Sequence, residues 1–141
     1  MRIIGVFAVL TLSVIVFTAF RQKPVNKQKP AFDLKASIAR GQEVYGSYCI
    51  TCHLEKGEGI EGVYPPLAKS DYLMADKKRS ITITLKGYTG EIKVNGVTYN
   101  GEMTSFDLTD QEASDVLNYI RNSFGNKGEP VKTEEVKALR N

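Results

Sequence analysis

The residues with the strongest chemistry lie within one short segment of this 141-residue chain. The chain has two cysteines and one histidine, and all three fall in Cys49-Ile50-Thr51-Cys52-His53. Two thiols at this spacing can add to the two vinyl groups of a haem, while the adjacent imidazole reaches the iron. The spacing therefore predicts one covalently attached haem, bound through Cys49 and Cys52, with His53 as the proximal axial iron ligand.

Two other chemistries use the same pair of cysteines. A thioredoxin-like redox pair shares the C-x-x-C spacing, but such a pair follows a strand and begins a helix. A structural zinc site needs four ligands, and because no other cysteine or histidine exists in the chain, carboxylates would have to complete it. Haem attachment has more support from the sequence, and both alternatives stay open.

The distal iron ligand can be predicted because the chain has few donors. His53 is the only histidine, and the methionines are Met1, Met74 and Met103. Met1 lies in an apolar amino-terminal segment, and Met74 lies in a predicted helical turn, where methionine is typical of core packing. Met103 lies in a predicted irregular loop, residues 100–106, from which a side chain can reach across a pocket. Met103 is therefore the predicted distal axial ligand, and its thioether would favour ferrous iron and close the site to other ligands.

A helix is predicted immediately before the cysteine motif. Apolar residues recur at intervals of three and four between residues 33 and 48, and Asp33 or Ser37 can serve as the N-cap. The motif then lies at the carboxyl end of this helix. Beyond it, glycines and Pro65-Pro66 predict an irregular loop, and residues 70–74 predict a short helical turn.

Two local signals predict the elements on the carboxyl-terminal side. Asn95-Gly96, between two β-prone segments, predicts a hairpin with a type I′ turn. Thr109 and Glu112 form a capping box, so a helix is predicted to begin there and to end at Gly125. Residues 79–87 are ambiguous, because their alternating β-branched residues favour a strand whereas their apolar spacing also fits a helix.

Composition divides the chain into four parts. Residues 1–20 are apolar after Met1-Arg2 and predict a signal-anchor or a signal peptide, with an anchor favoured because no clear cleavage pattern follows. Residues 21–32 are rich in lysine and proline and predict a flexible tether. Residues 33–125 predict one globular domain, and residues 126–141 predict a charged C-terminal tail with a weak helical stretch.

The overall composition excludes several classes of protein. Hydrophobic residues make up 42% and charged residues 25% of the chain, values that fit neither a polytopic membrane protein nor a disordered one. The net charge of +3 is too small and too dispersed to predict nucleic-acid binding. Docking to another protein is compatible with this charge.

Residues 33–125 resemble a class I c-type cytochrome of the bacterial monohaem kind. Gly41 and Tyr45 resemble the glycine and the aromatic residue through which the family's first helix crosses its last, and the implied partners here are Leu117, Tyr119 and Ile120. The resemblance implies the cytochrome c fold, an all-α fold around one haem c, with a small β-hairpin and an N-terminal hydrophobic helix. It also implies that residues 79–87 are helical.

The same resemblance assigns residues to the haem pocket. Tyr64-Pro65-Pro66-Leu67 resembles the family's loop in which a proline carbonyl accepts the other N–H of the ligand histidine, which implies this role for Pro65 and haem packing for Leu67. Residues 101–106 resemble the methionine-ligand loop, but Thr104 stands where the family commonly has proline, which predicts a softer loop. In the absence of tryptophan, Tyr72, Tyr88 or Tyr99 is the candidate for contact with the haem propionates.

The function implied by the resemblance is that of an electron carrier without catalytic residues or a small-molecule substrate. It would carry single electrons between respiratory or dehydrogenase partners at the extracytoplasmic face of the cell membrane or in the periplasm, because covalent haem attachment follows export, and residues 1–20 would anchor it. One alternative is a haem-based sensor or weak peroxidase with a labile methionine ligand. Another is a fixed cytochrome subunit of a larger redox complex, for which residues 126–141 are the predicted contact.

The sign of the charge that guides docking stays open from the sequence. The basic cluster Lys77-Lys78-Arg79 would attract an acidic redox partner, whereas Glu55, Glu58 and Glu61, close to the cysteine motif, would attract a basic one.

Overall fold

The computed structural model describes residues 31–140, which form six helices and one two-stranded sheet. The predicted anchor at residues 1–20 and nearly all of the predicted tether at residues 21–32 lie outside the described residues. Between residues 31 and 140, no helix is long and apolar enough to cross a membrane. The elements are α1 (Leu34–Tyr48), α2 (Ile50–His53), α3 (Asp71–Ala75), α4 (Lys77–Lys86), β1 (Tyr88–Val94), β2 (Val97–Met103), α5 (Asp110–Arg121) and α6 (Thr133–Arg140).

Helices α1 and α5 cross at Gly41. A Cβ added there would lie 1.9 Å from the carbonyl oxygen of Asp115 and 2.9 Å from the Cβ of Tyr119, so only glycine permits this approach. The rings of Tyr45 and Tyr119 pack beside the crossing with their centroids 5.4 Å apart. The predicted contact of Tyr45 with Tyr119 is thus present, while the closest backbone partner of Gly41 is Asp115, which the sequence did not indicate.

We expect Gly41→Ala to lower the free energy of unfolding by about 2 kcal/mol or more, because the added methyl group forces the two helices apart. Gly46 provides the matched control, since it lies in the same helix and a Cβ there meets nothing within 4 Å. Gly46→Ala should be neutral or should stabilise the protein by roughly 0.5–1 kcal/mol. Chemical unfolding followed by circular dichroism measures both changes, and equal effects at the two positions would contradict the close crossing.

A buried polar cluster also joins α1 to α5. The carboxylate of Asp115 accepts hydrogen bonds from the Ser37 hydroxyl and from two nitrogens of Arg40, the latter at 2.7 and 2.8 Å. Ser37 is fully buried and lies within α1, so it is not the N-cap of this helix. The N-cap is Asp33, whose side chain accepts the N–H of Ala36 at 3.2 Å.

Helix α4 shows that residues 79–86 are helical, as the resemblance implied and against their strand propensity. Ile81 and Leu85, one turn apart, are both buried in the core. The hydroxyls of Thr82 and Thr84 donate to carbonyls four residues earlier, at 3.0 and 2.9 Å. Burial of one face outweighs the weak local preference, because propensity differences are small beside the gain from packing.

The hairpin has the predicted turn but is longer than predicted. Asn95 and Gly96 have φ values of 50° and 87°, as a type I′ turn requires. Seven residue pairs follow, from Val94 with Val97 to Tyr88 with Met103. The prediction that residues 100–106 form an irregular loop is therefore wrong for residues 100–103. Met103 is the last residue of β2. It pairs with Tyr88, the first residue of β1, which follows closely after the end of α4.

Helix α5 begins at the predicted capping box and ends earlier than predicted. Thr109 and Glu112 make the reciprocal cap bonds, but the helix ends at Arg121 rather than at Gly125. The side-chain amide of Asn126 donates to the carbonyl of Ile120 at 2.8 Å and so satisfies one of the terminal acceptors. A side chain from beyond the helix thus replaces the glycine cap predicted from sequence.

The charged segment after residue 125 packs against the rest of the domain. Val131 and Val136 are completely buried. The side-chain amide of Asn118 in α5 donates to the carbonyl of Val131 at 2.8 Å and accepts its N–H at 2.7 Å. Two ion pairs hold α6, one between Lys77 and Glu135 and one between Arg140 and Asp110, each at 2.6 Å.

Candidate functional site

A largely apolar cavity of about 310 Å³ lies next to the cysteine motif. Its wall combines the end of α1, α2, the loop that follows, the inner face of α4, the hairpin and one face of α5. The aliphatic lining residues from these last three elements are Ile83, Ile92, Val94, Val116, Leu117 and Ile120. Leu117 and Ile120, predicted to contact α1 at the crossing, thus also contribute to this wall.

The two cysteines lie at the junction of α1 and α2. Cys49 is the C-cap of α1, where its N–H donates to the carbonyl of Tyr45 at 2.9 Å, and both thiols are half-buried, unbridged and part of the cavity wall. Burial, with a smaller effect of Cys52, raises the pKa of Cys49 to about 11. A thioredoxin-like pair depends on a lowered thiol pKa at a helix N-terminus. Cys49 is also the N-cap of the short helix α2, but its pKa is raised rather than lowered, which argues against thiol redox chemistry.

His53 is held in the tautomer that a metal ligand needs. It is 8% exposed, and its Nδ1 lies 2.9 Å from the carbonyl oxygen of Pro65. Because a carbonyl can only accept, Nδ1 carries the hydrogen and Nε2 keeps its lone pair. Burial lowers the pKa of His53, although the bond to Pro65 opposes this effect, so the imidazole is favoured in its neutral form. The hydrogen bond that the family resemblance implied is thus present.

The position of the Pro65 carbonyl depends on Gly59, a residue that the sequence analysis missed. Gly59 has a φ of 63°, and a Cβ there would lie 2.3 Å from the carbonyl oxygen of Tyr64 and 2.8 Å from that of Pro65. The N–H of Gly59 donates to the carbonyl of His53 at 3.0 Å. The signal in the sequence was a group of glycines, which predicted a loop without showing which of them contacts the proline segment.

Met103 and Leu67 line the cavity together with the cysteines, His53 and Pro65. The structure therefore brings all six predicted site residues around one space. Met74 does not contribute to the wall and packs against the core instead, with its Cε near Gly128. Within residues 31–140, Met103 is thus the methionine available to this cavity.

The three tyrosines proposed for the haem propionates, Tyr72, Tyr88 and Tyr99, also line the cavity. The guanidinium carbon of Arg79 lies 3.8 Å from the ring centroid of Tyr72, and the same side chain donates to the carbonyl of Tyr72. Arg79 therefore packs on Tyr72, a residue of the cavity wall. This contact joins the basic cluster of α4 to the cavity.

The donor set fits a haem iron better than a zinc ion. Over residues 31–140, no group of three or more histidine, cysteine, aspartate or glutamate side chains could hold a metal ion. Carboxylates that might complete a zinc site do not converge on Cys49, Cys52 and His53. A neutral imidazole, two thiols and a thioether around an apolar space are instead the donors that attach and ligate a haem.

Comparison with known proteins agrees with this chemistry. A family model described as cytochrome c matches residues 38–124. Cytochrome c-552 of Thermus thermophilus is 41% identical over 117 residues, which cover 76% of this chain and 78% of that protein. The cytochrome c subunit of a quinone alcohol dehydrogenase of Gluconobacter oxydans is 31% identical over 104 residues, which cover 71% of this chain and 22% of that subunit. The chain belongs to the cytochrome c family, whose members are electron-transfer proteins with covalently bound haem c.

Proposed function

We propose that this monohaem electron carrier uses His53 and Met103 as axial iron ligands and exchanges electrons with redox partner proteins at the extracytoplasmic face of a cell membrane. The bond from His53 Nδ1 to the Pro65 carbonyl is the observation that carries the ligand assignment, because it leaves Nε2 free to ligate a metal at a cavity that Met103 also lines. When bound, the haem supplies reversible one-electron chemistry. The protein attaches it, orients it and keeps water away.

Each site residue has a separate task in this proposal. The thiols of Cys49 and Cys52 would hold the haem through two thioethers, formed by addition of S–H across the vinyl groups without an oxidant. The Pro65 carbonyl orients the imidazole of His53 and increases its basicity. Met103 would supply the second axial donor and exclude exogenous ligands, and Leu67 would pack against the haem. A closed site of this kind favours electron transfer over chemistry on a substrate.

An exposed apolar patch beside the cysteine motif is the proposed docking surface for redox partners. It consists of Tyr48, Ile60 and Val63, whose exposed fractions are 41%, 44% and 55%. Tyr48 and Val63 also line the cavity, so the patch reaches the edge of the haem site. Exposed apolar residues grouped in this way are typical of interaction sites.

The charges around this patch favour a basic partner. Glu55, Glu58 and Glu61 lie in the loop that carries the patch residues Ile60 and Val63, and all three are exposed. Two residues of the basic cluster Lys77-Lys78-Arg79 are engaged in contacts within the protein. Lys77 binds Glu135, and Arg79 binds the ring and carbonyl of Tyr72. Electrostatic attraction at the haem edge should therefore come mainly from the carboxylates.

Small charged oxidants test this assignment without knowledge of the natural partner. We expect a cationic metal complex to oxidise the reduced protein faster than an anionic one of equal driving force, and we expect added salt to slow the cationic reaction. A triple change, Glu55→Gln, Glu58→Gln and Glu61→Gln, should remove most of that salt dependence, whereas Glu91→Gln on the hairpin should not. A salt dependence of the opposite sign in the unmodified protein would refute the acidic docking surface.

The proposed location rests on the attachment chemistry and on the apolar segment at residues 1–20. Cell fractionation tests it by comparing the full chain with a variant that carries a cleavable export signal in place of these residues. The full chain should sediment with membranes and the variant should be released with the periplasmic proteins. Full release of both forms would contradict the anchor.

A second candidate function is that of a fixed cytochrome subunit, which the similarity to a dehydrogenase cytochrome subunit favours. The C-terminal segment was the predicted contact for such an assembly, but it packs on its own domain through Val131 and Val136. Purification from native membranes at high salt distinguishes the two functions. A carrier should separate from other redox proteins, and a fixed subunit should not.

A further inference from the structure

The segment that carries Met103 touches the end of α4 through backbone alone. Gly87, the C-cap of α4, has φ 74° and ψ −174°, a region that is essentially restricted to glycine. A Cβ there would lie 2.5 Å from the carbonyl oxygen of Met103 and 3.0 Å from the nitrogen of Ser105. Because no side chain separates the two backbones, Gly87 determines how closely the end of β2 approaches the α4 wall of the cavity.

The other end of the same segment is held by α6. The Nη2 of Arg140 donates to the carbonyl oxygen of Leu108 at 2.7 Å, while its Nε pairs with Asp110 at 2.6 Å. Leu108 is 3% exposed and lines the cavity. Residues 103–108 therefore run between two contacts, one at Gly87 and one at Arg140, and both contacts come from outside the segment.

The local sequence of this segment offers little stiffness of its own. Thr104 and Ser105 are exposed and follow directly after Met103. A proline after the methionine would restrict φ, whereas threonine leaves that rotation available. Tertiary contacts must therefore supply the restriction that the local sequence lacks. In the middle of the segment the ring of Phe106 packs on Tyr48, with centroids 5.4 Å apart, and the contacts at Gly87 and Arg140 fix the two ends.

We propose that Gly87 and Arg140 are positioning residues that hold the sulfur of Met103 at the sixth coordination position of the iron. Neither residue lines the cavity, and each acts through the backbone of residues 103–108. This inference rests on the proposed ligation by Met103. It predicts that loosening either contact weakens the iron–sulfur bond while the haem stays attached.

The first test is Gly87→Ala in the holoprotein. Restoring an ordinary contact of 3.4 Å from 2.5 Å requires a shift of about 0.9 Å at the Met103 carbonyl, whereas metal–ligand distances tolerate only about 0.2 Å. We expect the ferrous protein to bind carbon monoxide at least about tenfold faster and the far-red sulfur-to-iron band to weaken. The matched control is Gly62→Ala, because Gly62 has the same φ of 74° and a Cβ there meets nothing within 4 Å.

A double-mutant comparison separates positioning from general destabilisation. If Gly87 acts through Met103, then Gly87→Ala should no longer change carbon monoxide binding when Met103→Ala is already present. An unchanged tenfold effect in that background would overturn the role of Gly87. The role of Gly87 would also be overturned if Gly87→Ala alone bound carbon monoxide at the wild-type rate and kept the wild-type far-red band.

Arg140→Ala tests the second contact and also serves if Gly87→Ala does not fold. Its matched control is Lys77→Ala, which removes the other ion pair of α6, with Glu135, without touching Leu108. Carbon monoxide binding should accelerate several-fold in Arg140→Ala and stay at the wild-type rate in Lys77→Ala. Equal rates in these two variants would overturn the role of Arg140.

The wild-type spectrum distinguishes failure of this inference from failure of the proposed ligand. A far-red band that disappears in Met103→Ala establishes the ligand, and wild-type behaviour of the positioning variants then counts against the two contacts only. A wild-type protein without this band would overturn the Met103 assignment and, with it, the positioning proposal.

Discussion

Replacing Met103 by alanine is expected to remove the far-red sulfur-to-iron band, to lower the reduction potential by on the order of 0.1 V, and to open the ferrous haem to carbon monoxide. Axial ligands set haem potentials over a range of roughly 0.8 V, and loss of a neutral thioether removes a ligand that favours ferrous iron. The haem itself should stay attached, because Cys49, Cys52 and His53 are unchanged. Visible spectroscopy, redox titration and carbon monoxide binding measure the three effects.

Met74→Ala is the matched control for this change. Met74 is half-buried and packs against the core, but it does not line the cavity. Because Met74 is only half-buried, its replacement should cost on the order of 1 kcal/mol of stability through loss of packing and should leave the band and the potential unchanged. Loss of the band in Met74→Ala but not in Met103→Ala would reverse the ligand assignment.

The same experiment decides the sensor or weak peroxidase alternative. Such a protein requires a sixth position that opens in the native state, so the unmodified ferrous protein would bind carbon monoxide readily. A carrier with a stable Met103 ligand should resist it. Fast binding by the unmodified protein, together with a weak far-red band, would favour the alternative.

Conversion of Cys49 and Cys52 to serine together is expected to release the haem from the polypeptide under denaturing conditions. Serine hydroxyls are nearly isosteric with thiols but do not add to the vinyl groups, so the change removes both covalent links. Each single variant should keep one thioether and retain haem on a denaturing gel. The measurement is haem staining of the gel beside protein staining.

Thr51→Ala is the control for the double cysteine variant, because Thr51 lies between the cysteines, is exposed and has no predicted role. It should keep its haem fully. Release of haem from the unmodified protein in denaturant would contradict covalent attachment at these cysteines. Haem retained by the double serine variant would show that another residue carries the link.

Local signals predicted those elements whose formation depends on neighbouring residues. Asn95-Gly96 formed its predicted turn, and Thr109 with Glu112 formed the capping box. Strand propensity was misleading for residues 79–86, since the burial of Ile81 and Leu85 against other elements decides that segment. The resemblance to the family predicted this helix correctly, because the family's fold includes the packing that buries one face of the segment.

Predictions were wrong or incomplete where a residue outside the element completes its structure. Gly125 was expected to end α5, yet Asn126 satisfies the terminal carbonyl of Ile120 from beyond the helix. The weak helical stretch predicted within residues 126–141 is present as α6. Its packing was not predicted, because the surfaces that bury Val131 and Val136 lie on other elements. The strand that ends at Met103 depends on its pairing with Tyr88, which local sequence does not specify.

The amino-acid sequence by itself determined the chemistry of this protein. The spacing of Cys49, Cys52 and His53 fits the size of a porphyrin, so it predicted the cofactor without knowledge of the fold. Scarcity of donors made Met103 the predicted distal ligand. Only the tertiary structure decided how these groups are held. The Pro65 carbonyl beside His53 and the backbone of Gly87 against Met103 are contacts between segments distant in the chain. Their distances depend on the packing of whole elements.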